Sequence, residues 1–197
     1  MSQLSLFSAE AAGACLADLA GLLCGPGQIV RFGTGETARL SIVLPDAGRA
    51  PAVRHAGQEA GVELTVTLTE AGTTAMRTAF RRDLVGLAVE WTCGAMKAVP
   101  PGMHLDGAVL RMWALAAGRP DERGGYLLAL DTHAPQTHLP LVAALTRLGL
   151  PPARVARGTG LRISGVRRMQ RLVELVGPPP TGVDPGQWPR CWGRTAR

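Results

Sequence analysis

The sequence predicts an α+β fold made of two similar halves, in which helices alternate with antiparallel strands. Two observations predict it. The order helix, hairpin, helix, strand occurs in both halves, and a nine-residue, largely apolar segment that ends in glycine stands near the start of each, at residues 19–27 and 110–118. From that glycine to the glycine after the next helix there are 34 residues in the first half and 31 in the second. A repeated unit that packs through its first helix gives a pseudo-two-fold domain.

Stop signals and hydrophobic patterns define the elements of the first half. Proline and glycine end helices, and strict alternation of apolar and polar residues is typical of a half-buried strand. We expect a helix at 9–24 that Ser8 caps and Gly25-Pro26-Gly27 ends, strands at 28–32 and 38–44 around a loop at 33–36, a helix at 49–60, a strand at 63–69 and a helical region at 73–98.

The second half has its own stop signals, with Gly118, Gly149 and Gly177 after helices. We expect helices at 105–117, 137–148 and 165–176, a strand at 125–131 and a hairpin of strands 154–157 and 161–163. The chain then divides into a first half with a connecting helix (1–104), a second half (105–177) and an extended tail rich in Pro, Gly and Trp (178–197).

Composition favours a packed protein with a polyanionic partner. Hydrophobic residues make up 46% of the 197 residues, and the formal net charge is +6. Lys97 is the only lysine among 21 basic residues, and the others are arginines, whose guanidinium suits phosphate and guanine. The four cysteines form no CxxC pair, so we expect reduced thiols and no zinc site. Neither a signal peptide nor an 18-residue apolar run occurs, which predicts a cytoplasmic protein without a membrane partner.

Residues 19–27 read Leu-Ala-Gly-Leu-Leu-Cys-Gly-Pro-Gly. This segment resembles the LAGLIDADG signature of homing endonucleases, in which two such helices pack closely and each delivers a carboxylate to a shared metal ion. Cys24 stands at the first acidic position, Pro26 at the metal-binding one, and Ala117 at the metal-binding position of the second copy. Metal-assisted phosphodiester cleavage needs carboxylates, so we expect no catalytic residue, metal, cofactor or nuclease activity. Met112 stands where the family usually has glycine, and this departure predicts a looser or tilted helix crossing there.

Among LAGLIDADG proteins, the second half is similar to the sporulation regulators of the WhiA family. The shared features are a Leu-Arg helix with an Ala-Gly ending, a Gly-Tyr strand followed by Thr-His, and a Leu-Gly-Leu-Pro turn. Here these are Leu110, Arg111, Ala117, Gly118, Gly125, Tyr126, Thr132, His133 and residues 148–151. The resemblance covers roughly residues 10–177 and implies a catalytically inactive, DNA-binding transcription regulator. WhiA proteins also carry a C-terminal helix-turn-helix domain, and this chain ends about twenty residues after the repeat, so we expect a stand-alone module.

In the family, the strands of both halves form a saddle over duplex DNA, and antiparallel strands of this kind turn one face to the core and one outward. Five arginines lie on predicted strands beside apolar residues, so we expect them on the face opposite the core, where they can contact phosphate or guanine. They are Arg31, Arg39, Arg154, Arg157 and Arg162, and Gln28 adds a polar contact.

An alternative class of function is an interaction module that binds a regulatory protein and not DNA. Trp188, Pro189, Arg190 and Trp192 of the tail would then anchor the partner, because aromatic and arginine side chains dominate binding interfaces.

Overall fold

Two copies of one supersecondary unit make up the fold. The computed structural model describes residues 13–155 and 159–191. The first repeat consists of a 3-10 turn (Leu16–Leu19), α1 (Ala20–Cys24), β1 (Gln28–Phe32), β2 (Thr37–Val43), α2 (Ala50–Glu59), β3 (Thr65–Leu68), β4 (Thr74–Arg77) and α3 (Val85–Trp91). A small hairpin of β5 (Thr92–Cys93) and β6 (Met96–Lys97) follows. The second repeat consists of α4 (Gly107–Ala117), β7 (Gly118–Pro120), β8 (Tyr126–Ala129), α5 (His138–Arg147), β9 (Ala153–Arg154), β10 (Gly160–Ile163) and α6 (Val166–Val176).

Each repeat forms its own four-stranded antiparallel sheet. The strand order is β1-β2-β4-β3 in the first repeat and β7-β8-β10-β9 in the second, so the two sheets have the same topology. The helices follow the same order in both repeats. This agreement confirms the predicted α+β class and internal duplication. The predicted division of the chain at residues 104 and 177 stays a prediction.

Helices α1 and α4 pack against each other at the centre of the molecule, because glycine lets their backbones touch. A Cβ atom on Gly21 would lie 2.3 Å from the carbonyl oxygen of Val109 and 2.6 Å from the Cβ of Met112. Met112 therefore fills the space that Gly21 leaves. Of the two outcomes predicted from Met112, a looser or a tilted crossing, the looser one is wrong at this contact. Lower down, a Cβ atom on Gly25 would lie 3.1 Å from the Cβ of Ala117.

The two repeats share one hydrophobic core around this helix pair. Leu22 and Leu23 of α1 and Leu110 and Trp113 of α4 are fully buried, as is Trp91 of α3. Burial of apolar surface is the main stabilising term in folding, so the two repeats stabilise each other. None of the helices in residues 13–155 and 159–191 is long and apolar enough to cross a membrane.

The first helix begins later than predicted. Residues 13–15 are not helical, and the 3-10 turn starts at Leu16. The backbone amide of Cys15 donates to a carboxylate oxygen of Asp18 at 2.8 Å, which satisfies a free amide at the helix start. The predicted cap, Ser8, lies outside the described residues.

The predicted helical region at 73–98 is wrong except for Val85–Trp91. Residues Thr74–Arg77 form β4, which pairs with β2 on one side and β3 on the other. Met76 reaches the core from this strand. The reason is tertiary: β4 completes the hydrogen bonding of both neighbouring strands, which a helix at this position could not do.

The segment after α6 is anchored to the body of the protein up to Trp188, contrary to the predicted extended tail. Trp188 is 2% exposed, and its indole nitrogen donates to the carbonyl oxygen of Gly177 at 2.8 Å. The guanidinium of Arg111 lies 5.4 Å from the centroid of the Trp188 ring. Arg49 and Tyr126 both donate to the carbonyl oxygen of Gln187. Trp192, also assigned to the partner anchor, lies outside the described residues.

Candidate nucleic-acid interface

Strand register separates the residues of each sheet into a core face and an outer face. In the first sheet Ile29, Leu40, Ile42 and Met76 are buried in the core. Because side chains alternate along a strand, the residues between them point the other way. We call this side the outer face; it consists of Gln28, Val30, Phe32, Thr37, Arg39, Ser41, Val43, Thr65, Thr67, Ala75 and Arg77 in the first sheet, and of Arg119, Leu127, Ala129, Ala153, Gly160 and Arg162 in the second.

The outer face of the first sheet carries two arginines, Arg39 and Arg77, in separate rows of paired residues. Arg77 pairs with Ser41 on β2 and with Thr65 on β3, and Ser41 pairs in turn with Gln28 on β1. A depression of about 270 Å³ lies over these rows and is lined by Gln28, Arg39, Ser41 and Arg77 among others. The first sheet therefore offers a concave, positively charged surface.

The second sheet carries a matching pair of arginines. Arg119 on β7 and Arg162 on β10 flank Leu127 of β8 from opposite sides. The outer-face positions of both sheets, in the described part of the chain, include four arginines and no carboxylate. The nearest carboxylate to Arg162 is that of Asp121, which follows β7 and lies 3.3 Å from its guanidinium.

The predicted site residues divide into three groups. Gln28, Arg39 and Arg162 lie on the outer face as expected. Arg31 pairs with Ala38 and Arg154 pairs with Leu161, so both lie on the core-facing side of their strands, although both are exposed. The prediction of a single shared face is wrong for these two, and their contact with DNA stays a prediction.

The remaining predicted residue, Arg157, lies outside the described residues.

Sequence reasoning missed two outer-face arginines. Arg77 was assigned to a helix, and Arg119 to the turn after one. Residues 74–78 (Thr-Ala-Met-Arg-Thr) do not alternate between apolar and polar side chains, so no local pattern identified Arg77 as a strand residue.

Arg39 is held in place by aromatic rings. Its guanidinium carbon lies 4.6 Å from the centroid of the Phe80 ring, and the Phe80 and Phe32 rings are 4.9 Å apart. Cation–π contact of this kind fixes the guanidinium plane. The Nε atoms of Arg39 and Arg162 are the two buried side-chain nitrogen or oxygen atoms without a hydrogen-bond partner in residues 13–155 and 159–191.

A buried cation, which sequence reasoning did not locate, lies against the end of α1. The Lys97 ammonium donates to the carbonyl oxygens of Gly25 (2.6 Å) and Gly27 (2.7 Å) and to the Asp131 carboxylate (3.1 Å). Gln28 also donates to that carboxylate. The signal that could have identified Lys97 is that it is the only lysine in an arginine-rich chain.

Burial shifts the pKa values of Lys97 and of the neighbouring Cys24. Burial lowers the pKa of Lys97, and the Asp131 carboxylate opposes that shift. Burial also raises the pKa of the Cys24 thiol far above its usual range, so the thiol is neutral. The carboxylate present is already paired with an ammonium, and Cys24 and Ala117 supply no anionic oxygen, so these donors do not fit a divalent cation. Within the described residues, no group of three His, Cys, Asp or Glu could hold a metal ion.

Comparison with known proteins identifies the fold. A scan against protein-family models finds no match, and no curated protein matches the sequence. The homing endonuclease I-WcaI, bound to its DNA recognition sequence, is similar with a TM-score of 0.58 and 14% identity, over 89% of this chain and 83% of that one.

The N-terminal LAGLIDADG domain of DUF199/WhiA is similar with a TM-score of 0.52 and 9% identity, over 82% of this chain and 80% of that one. Full-length DUF199/WhiA from Thermotoga maritima matches with a TM-score of 0.53 and 11% identity over 82% of this chain, which spans about half (54%) of its length. These likenesses confirm the predicted fold, that of the LAGLIDADG domain of homing endonucleases and WhiA.

Proposed function

We propose that this protein binds double-stranded DNA through the outer faces of its two sheets. In this proposal it regulates transcription or sporulation and does not cut the DNA. The observation that carries the proposal is the pair of outer faces with four arginines and no strand carboxylate. Arginine suits both backbone phosphate and the O6 and N7 atoms of guanine. The proposed location is the cytoplasm, together with the DNA.

The likeness to a DNA-bound homing endonuclease supports this choice of ligand. Positive charge on a concave surface attracts a polyanion, and a two-stranded β-ribbon fits the major groove. The β1–β2 hairpin is such a ribbon, and Gln28 and Arg39 lie on its outer face. Arg31, Arg154 and Arg157 remain proposed contacts to flanking phosphates.

The absence of nuclease activity is proposed from the buried cation. Cleavage through a metal ion needs free carboxylates where α1 and α4 end, and the Asp131 carboxylate there is paired with Lys97. The alternative of a partner-binding tail has lost a main anchor, because Trp188 packs inside the protein. We therefore favour DNA over a protein partner.

The test is binding of labelled genomic fragments, measured by fluorescence anisotropy at several salt concentrations. Contact with six to ten phosphates should weaken the affinity about 10³- to 10⁵-fold between 50 and 200 mM salt. The variant R39E/R162E should lose binding while its circular dichroism spectrum stays that of the folded protein. The control variant R54E/R167E makes the same change in charge on exposed helix positions and should bind almost as well. Equal binding by both variants, or no binding of any fragment at low salt, would exclude the proposed interface.

A further inference from the structure

An exposed apolar patch adjoins Arg39 on the outer face of the first sheet. Val30 is 46% exposed, Phe32 is 64% exposed and Phe80 is 39% exposed. Val30 pairs directly with Arg39 in the strand register, and Phe80 stacks between Arg39 and Phe32. Large apolar side chains on a surface that otherwise carries arginine and hydroxyl groups indicate a contact with something apolar in the ligand.

The patch combines the hydrogen-bond donors of Arg39 with apolar side chains. Arg39 presents donors in a fixed plane, and an apolar surface lies directly beside them. A matching ligand has hydrogen-bond acceptors next to an apolar group. The major groove of duplex DNA presents this combination where a guanine, with its O6 and N7 acceptors, neighbours a thymine, with its 5-methyl group.

The position of Phe32 suits such a contact. Phe32 is the last residue of β1, beside the turn in which Gly33 and Gly35 have φ angles of +61° and +92°. The side chain therefore projects near the tip of the β1–β2 hairpin, the part of a ribbon that enters a groove first. Its aromatic partner Phe80 limits the rotamers that Phe32 can adopt, so little side-chain entropy is lost on contact.

Resting on the proposed DNA-binding function, we propose that Phe32 contacts the 5-methyl group of a thymine next to a guanine that Arg39 recognises. Phe32 would then be a specificity-determining residue that requires the methyl group itself. This separates it from the arginines, whose phosphate contacts hold any sequence.

The test removes the methyl group from the ligand. A duplex is first selected from a random library for tight binding, and each thymine is then replaced singly by deoxyuridine, which differs only in lacking that methyl. Burial of one CH₂-sized group is worth about 0.8 kcal/mol, so the wild-type protein should lose about fourfold in affinity at one or two thymines beside a guanine. The variant F32S should bind the thymine and deoxyuridine duplexes equally.

The control variant L139S removes another exposed apolar side chain, on helix α5, where Leu139 is 66% exposed. It should keep the fourfold preference for thymine. If the wild-type protein binds both duplexes equally, or if F32S keeps the preference, the methyl contact is refuted while DNA binding stands. If no duplex is selected from the library at low salt, the proposed function itself fails, and the methyl contact with it.

Discussion

Replacing Lys97 with methionine should destabilise the protein strongly, because the ammonium is a buried charge that joins the two repeats. The Lys97 side chain is 4% exposed and that of Asp131 is 3% exposed. In K97M the carbonyl oxygens of Gly25 and Gly27 each lose a donor, and Asp131 keeps a buried negative charge without its counter-ion.

The magnitude follows from the partners that remain. Removing one member of a buried ion pair costs about 3–5 kcal/mol. Asp131 still accepts from Gln28 and from the backbone amide of His133, which places K97M near the lower limit, at about 3 kcal/mol. Domains are stable by about 5–15 kcal/mol, so the change removes a large fraction of the stability.

Urea unfolding at pH 7 measures this loss. With a slope of about 2 kcal/mol per molar urea, the midpoint should fall by about 1.5 M with the slope unchanged. In K97M/D131N both charges are gone, so the double variant should be more stable than K97M. The control R54M, at an exposed position on α2, should stay within about 0.5 kcal/mol of wild type. A loss below about 1 kcal/mol in K97M, or a double variant less stable than K97M, would refute the role given to the ion pair.

Three further outcomes are expected. G21A should cost at least about 2 kcal/mol because its methyl would overlap the α4 backbone, whereas G86A, which meets no atom within 4 Å, should be neutral or stabilising in thermal unfolding. W188A should cost about 3–5 kcal/mol and make the segment after α6 sensitive to limited proteolysis; unchanged stability would contradict its burial. Burial raises the pKa of Tyr126 to about 12 and that of Cys24 further, so both stay neutral when folded while the unfolded chain ionises. The free energy of unfolding should therefore fall as the pH rises above about 9, more steeply in wild type than in Y126F.

The helices that have clear capping residues and an apolar stripe along one face could be predicted from the sequence. Asp106 caps α4 by accepting from the backbone amide of Val109 at 2.9 Å, and Gly177 ends α6 with a φ angle of +67°. These signals are local, so they do not depend on the rest of the fold. Strand β4 lacked such a signal, and its partners on β2 lie more than thirty positions away along the chain.

The site was predicted less completely, for two physical reasons. The outer face was inferred from apolar neighbours of arginine, and Val30 and Phe32 are apolar but exposed, so Arg31 was placed on the wrong side of β1. The environment of Lys97 depends on carbonyl groups about 70 residues earlier and a carboxylate 34 residues later. No pattern within one segment contains that information.

The contact at Gly21 sets the distance between helices α1 and α4 as well as the way they pack. Since the backbones of α1 and α4 already touch there, the two helices cannot pack closer, which sets a lower limit on their spacing. A duplex that contacts both sheets would have to match the spacing that this helix pair sets. Inserting a single base pair between its two half-sites displaces one of them by about 3.4 Å along the axis and also rotates it, so we expect the insertion to weaken binding.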